Sequence, residues 1–178
     1  NNFLGVKEAD ALFVLLRDGI AWQEELLLIY GREVKVPRLV AWYGDSGLPY
    51  TYSGVCHRAL PWLPELMVLK QRIEACCGGA FNGVLANLYR DGQDSVGWHA
   101  DDEKELGPNP CIASLSLGQV RRFKLRHVQT KEVVSLDLEH GSLLLMTGPL
   151  QHHWQHCVPK SKRAMAARIN LTFRQIVP

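Results

Sequence analysis

The sequence predicts a mostly β domain with flanking helices, an α+β arrangement built on a β-sandwich or a jelly roll, the latter a double-stranded β-helix. From Phe81 onward the chain falls into eight short strand-like runs, 81–90, 95–99, 111–117, 119–126, 132–138, 142–147, 152–158 and 166–176, separated by turn residues. Helical spacing of apolar residues is found earlier, within the first 80 residues, where it can supply helices that buttress one sheet. The 178 residues, 47% hydrophobic and 21% charged, suit one core. The expected organisation is a single domain, 1–178, with helices and a hairpin in 1–80 and the roll in 81–178.

Residues 7–18 place Leu12, Leu15 and Leu16 on one face and stop at Gly19, which predicts an amphipathic helix. Two strand-like runs between Glu25 and Val36 meet at Gly31 and predict a hairpin whose tip carries Tyr30, Gly31 and Arg32. Pro37-Arg38 leads into a strand over 39–43 and a loop over 44–49. Tyr50 and Tyr52 then share a face, placed either to pack on a sheet or to sandwich a planar ligand. Pro64 opens a second helix to about Cys77, with Leu66, Leu69, Ile73 and Cys76 at helical spacing and Gly78-Gly79 as its stop.

Net charge is +2, so binding to a polyanion would rest on local basic clusters. Arg121, Arg122, Lys124 and Arg126 form one, and Lys160, Lys162 and Arg163 another; on charge alone both suit a solvated face. No apolar run approaches a membrane span of about 20 residues, and no membrane partner is expected. The five cysteines are scattered and lack CxxC spacing, which argues against a zinc cage or a disulfide framework and fits a reducing compartment. Cytoplasm is expected in a bacterium, the nucleus in a eukaryote, and a monomer in either.

The chemistry centres on Trp98-His99-Ala100-Asp101-Asp102-Glu103. In extended chain His99 and Asp101 point the same way, so one imidazole and one carboxylate can reach a single ion. A distant histidine would complete the two-histidine, one-carboxylate set that leaves iron open positions for oxygen chemistry. His127, His140, His152, His153 and His156 are candidates; alternation around Trp154 leaves His152 and His156. The last strand, Arg168 to Arg174, alternates strictly between Ile169, Leu171 and Phe173 on one face and Arg168, Asn170, Thr172 and Arg174 on the other. Two guanidinium groups flanking an amide and a hydroxyl suit a dicarboxylate.

HxD at His99 and Asp101, the histidine at 156 and the closing RxNxTFR of 168–174 resemble the AlkB family of iron(II)- and 2-oxoglutarate-dependent dioxygenases. Asn87-Leu88-Tyr89 is similar to the family's N-x-Y, and Leu138 to Leu144 to its L-x-H-G strand entry. Pro37-Arg38, Tyr43 to Leu48 and Tyr50 to Gly54 resemble its duplex-DNA repair subgroup, and the likeness runs from about residue 26 to the end.

The resemblance implies iron held by His99, Asp101 and His156, and 2-oxoglutarate held by Asn87, Tyr89, Arg168, Asn170 and Arg174. It implies oxidative demethylation of N-alkylated bases, chiefly 1-methyladenine and 3-methylcytosine, in single- or double-stranded DNA, consuming dioxygen and releasing formaldehyde, succinate and carbon dioxide. Tyr52 and His99 would stack on the flipped base, and Asp102 and Glu103 would favour a cationic lesion. Arg38 would hold the base or its phosphate. Tyr30, Gly31 and Arg32 would form a finger in the stack, and Lys160, Lys162 and Arg163 would meet the backbone. The same chemistry on RNA or another N-methylated substrate, a protein or lipid, is one alternative; a nucleic-acid-binding module with a vestigial metal site is another.

Overall fold

The computed structural model describes residues 3–29, 32–52 and 55–177. Helix α1 (Val6–Gly19) opens the domain, followed by β1 (Gln23–Ile29), β2 (Arg32–Gly44), β3 (Pro49–Tyr52), β4 (Val55–Arg58) and α2 (Pro64–Cys77). The remainder is strands: β5 (Gly83–Tyr89), β6 (Val96–His99), β7 (Ile112–Gly118), β8 (Arg121–His127), β9 (Val133–Leu138), β10 (Leu143–Met146), β11 (Trp154–Val158) and β12 (Arg168–Arg174). A six-stranded sheet in the order β1-β2-β5-β12-β7-β10 faces a four-stranded sheet in the order β6-β11-β8-β9, and β3 pairs with β4. Adjacent strands within the sheets are antiparallel, as expected of a jelly roll. No helix among the described residues is long and apolar enough to cross a membrane.

Strand β12 explains the layering. Ile169, Leu171 and Phe173 join Val84, Ala86, Leu115 and Leu117 in a core covered by Leu16 of α1 and by Leu66, Leu69 and Ile73 of α2. The opposite face of β12 turns toward the four-stranded sheet, where Phe123, Leu138, Met146 and Val158 form a second apolar cluster. Both faces of the central strand are therefore buried, and its polar residues line the space between the sheets.

Several expectations are corrected. Leu15 is 49% exposed and Cys76 is exposed, so neither belongs to its helix's buried face. The strand expected at 39–43 extends back through Pro37 to Arg32. This is tolerated because pairing jumps from Glu24–Leu39 to Leu26–Lys35, which removes the ladder bond that Pro37 cannot donate. The segment expected as a strand over 152–158 begins instead as a helical turn, α3 (Leu150–His153). Gly78 closes α2 in a left-handed conformation, φ 70°, donating its N–H to Glu74 O at 2.8 Å.

Candidate active site

The candidate metal-binding end forms where β6 meets β11. Register places His156 directly opposite His99, with ring centroids 4.2 Å apart. Asp101 follows β6 by two residues, and its carboxylate lies 3.7 Å from His99 Nε2 and 3.9 Å from His156 Nε2. One donor atom from each residue falls within 4.8 Å of the others. His99 Nδ1 lies 2.9 Å from the Gly97 carbonyl; donating there leaves Nε2 as a free lone pair.

Supporting groups hold Asp101 from two sides. Its N–H donates to Gln151 Oε1 at 3.0 Å, and its Oδ1 accepts from Arg174 Nη2 at 3.0 Å. Burial acts to raise the Asp101 carboxyl, but Arg174 first, then the two imidazoles, outweigh it and hold the group at about 2. Burial, reinforced by His99, pushes His156 down to about 4. At neutral pH the pair is thus an anionic carboxylate beside a neutral imidazole, the protonation state that a divalent ion requires. Two imidazoles and a carboxylate fit iron(II) and leave part of its coordination sphere for other ligands.

The other end of the cavity is set by strand register. β12 lies between β5 and β7, so Arg168 stands opposite Tyr89 and Asn170 stands between Asn87 and Ser116. Arg168 Nη2 donates to Ser116 Oγ at 2.9 Å, and its guanidinium lies 5.2 Å from the centre of the Tyr89 ring. Burial pushes this guanidinium down to about 10, Tyr89 opposing. Arg168 Nε and Nη1 are buried without a hydrogen-bond partner, and no acid among the described residues pairs with it. Asn170 Nδ2 donates to Ser114 Oγ at 2.8 Å, and Thr172 Oγ1 donates to Asn170 Oδ1 at 3.1 Å. A buried cation with unused donors, lining the same cavity as His99, Asp101 and His156, fits a carboxylate-bearing co-substrate such as 2-oxoglutarate.

The profile of the 2OG-Fe(II) oxygenase superfamily matches residues 1–174. The chain is 44% identical over 186 residues to the rat alpha-ketoglutarate-dependent dioxygenase alkB homolog 3, covering 99% of this chain and 62% of that protein. It is 44% identical to the mouse DNA oxidative demethylase ALKBH2, covering 98% and 77%, and 41% identical to the human one, covering 97% and 70%. The chain belongs to this superfamily, in its AlkB branch. The solved structure of OsALKBH1 shares the fold, with a TM-score of 0.67 at 20% identity over 98% of this chain and 95% of that one. The chain spans less than two thirds of the rat relative's length.

The rim of the oxygenase site is built differently. Asp102 is exposed and Glu103 is half-buried, at the start of a short helical turn over Lys104–Leu106. Lys160, Lys162 and Arg163 are exposed on a loop anchored where the Ser161 N–H donates to Gly92 O at 2.7 Å. Tyr30 and Gly31 lie outside the described residues, as do the side chains of Arg32 and Tyr52.

Arg38, expected at the base or its phosphate, is 5% exposed and donates from Nε to Asn87 Oδ1 at 2.7 Å. At this depth it lines the cavity beside Asn87. The expected cluster at 121–126 divides across its strand: Arg121 is buried and donates to the carbonyls of Asp91, Asp94 and Pro159, whereas Arg122 pairs with Asp137 on the surface. His152 is exposed on α3 and contacts the Pro108 carbonyl, away from the triad. His140 is structural, with Nδ1 accepting from the Gly118 N–H at 2.7 Å and Nε2 facing Asp10.

Ser114, Ser116 and Gln151 are absent from the sequence reading. The two serines had a signal, a polar residue at every second position of an otherwise apolar β7. Gln151 had none, because its role depends on the turn before β11.

Proposed function

We propose that this single-domain oxygenase is an oxidative demethylase of N-alkylated nucleobases in DNA, acting by direct reversal. The cluster of half-buried His99 with buried Asp101 and His156, joined through Arg174 to the donor-rich face of β12, is the observation that carries the reading. The DNA demethylase named among its relatives supports the substrate class.

Iron(II), bound with 2-oxoglutarate and dioxygen, supplies the oxidation that turns an N-methyl group into N-hydroxymethyl, which leaves as formaldehyde while 2-oxoglutarate becomes succinate and carbon dioxide. His99, Asp101 and His156 would hold the ion. Arg168 would receive one carboxylate of the co-substrate, with Tyr89 and Asn170 beside it, while Arg174 fixes the orientation of Asp101. Rigid strand pairing around these groups keeps the reacting atoms in register, the protein's main share of the rate.

Asp102 and Glu103 follow His99 by three and four residues, and their negative charge at the rim would favour a cationic base such as 1-methyladenine or 3-methylcytosine. A methyl on the pairing edge requires the base to leave the stack, and weakened pairing lowers that cost. Tyr52 and His99 would bracket the flipped base, Tyr30, Gly31 and Arg32 would enter the stack, and Lys160, Lys162 and Arg163 would meet phosphates.

The test is mass spectrometry of single- and double-stranded oligonucleotides carrying 1-methyladenine, incubated with iron(II), 2-oxoglutarate and oxygen, with succinate quantified in parallel. Methyl loss matched by succinate is expected. Succinate without methyl loss would overturn the substrate, methyl loss from an RNA oligonucleotide alone would move it to RNA, and neither product from iron-loaded protein would favour a binding module.

A further inference from the structure

Trp98 and His99 are neighbours on β6, and strand alternation sends their side chains to opposite sides. His99 faces the metal site. Trp98 is 36% exposed and stands over the outer face of the four-stranded sheet, where the guanidinium carbon of Arg126 lies 4.4 Å from its ring centre. Arg126 donates to the neutral Gln155 at 2.9 Å, whereas its strand neighbour Arg122 is neutralised by Asp137. An exposed indole is therefore held flat by a cation that no acid among the described residues satisfies.

A groove runs between β2 and β6, with apolar walls from Val34, Val36 and Val96 and with Trp98 at one side. His99 and Arg38 line both this groove and the catalytic cavity, so the two spaces are continuous in their walls. Gly97 leaves the approach open, since a Cβ there would meet no atom within 4 Å.

We propose that Trp98 is a stacking platform for an unpaired nucleobase flanking the reacting nucleotide, so that the enzyme draws its substrate preferentially from single-stranded segments. The inference rests on the reading of the substrate as a nucleic acid and specifies its strand state. A base within a duplex has both faces covered by its neighbours, and only an unpaired one can place a face on an indole without breaking a stack. The groove leads from that indole to His99, where the reacting base must arrive.

The test begins with binding rather than turnover. A labelled, unmodified single-stranded oligonucleotide of about ten nucleotides is titrated by fluorescence anisotropy against the iron-loaded wild type, Trp98→Ala and Trp98→Phe, and the matching duplex is titrated alongside. Trp98→Ala is expected to weaken single-strand binding about tenfold and Trp98→Phe to restore most of it, in line with ~1–3 kcal/mol per stacked base. Duplex binding is expected to change much less. Equal affinity of wild type and Trp98→Ala for the single strand, or equal losses on strand and duplex, would overturn the proposal.

In turnover, the loss should fall on KM for a methylated oligonucleotide and not on kcat, and be missing for a methylated mononucleotide, which has no flanking base. A loss in kcat alone would make Trp98 a mere support for His99. Trp98-dependent strand binding without any demethylation would leave the platform standing and overturn the demethylase reading. Absence of strand binding by the wild type would overturn both.

Discussion

At the floor of the cavity, Arg168, Asn170, Thr172 and Arg174 are each under 10% exposed and stand at positions fixed by pairing of β12 with β5 and β7. At the rim, Asp102, Lys160, Lys162 and Arg163 are exposed and sit on loops. The floor must present one geometry to a small molecule and an ion that never vary, and strand register supplies it. On the proposed function the rim meets a long polymer whose sequence varies, and loops on a frame of paired strands suit that task. Substitutions at the floor should therefore act through geometry, and those at the rim through charge and contact area.

The largest effect is expected at Asp101. Asp101→Ala removes a proposed metal ligand and the carboxylate that accepts from Arg174, so iron binding and turnover should both be abolished, as read by metal analysis and succinate release. Arg168→Lys comes next: a point charge cannot reproduce the guanidinium fork, and KM for 2-oxoglutarate should rise about 100-fold, close to 3 kcal/mol of charge-assisted hydrogen bonding. If lysine served as well as arginine, the floor would be recognising charge alone and the contrast with the rim would fail.

Glu103→Gln should leave its mark on base choice, lowering the preference for a cationic methylated base over a neutral one by about tenfold, measured as the ratio of kcat/KM values. Lys162→Ala should weaken DNA binding about twofold and reduce the slope of log Kd against log salt by roughly one. A larger change in sequence or base preference than in salt dependence would show that this lysine does more than meet phosphate.

Acid should loosen the floor of the metal-free protein. His156 has its proton affinity lowered to about 4 by burial, so the unfolded chain binds a proton that the folded chain refuses between about pH 6.5 and 4. Stability should fall as pH drops through that window, and the melting temperature of chelator-treated His156→Gln should fall less steeply than that of the wild type.

Much of the floor was legible because it is written in strand alternation. The strict pattern of 168–174 separates the core face from the polar face, and the HxD spacing places an imidazole beside a carboxylate; both arrangements are present. Alternation could not choose between His152 and His156, because α3 interrupts the extended chain at Leu150–His153 and takes His152 out of phase. The inward turn of Arg38 was equally hidden, since it depends on an irregular pairing between β1 and β2 that leaves no periodic trace. The basic run 121–126 was misleading for the opposite reason: the residues are adjacent in sequence, yet the pleat sends Arg121 inward and Arg122 outward.

The preformed floor is tested most directly by anaerobic absorption spectroscopy of the protein with iron(II) and 2-oxoglutarate added separately and together. A visible charge-transfer band is predicted only with both present, lost in Asp101→Ala and demanding far more 2-oxoglutarate in Arg168→Lys. A wild-type protein that binds iron(II) stoichiometrically yet gives no band at saturating 2-oxoglutarate would contradict the assignment of the ion and its co-substrate to this cavity.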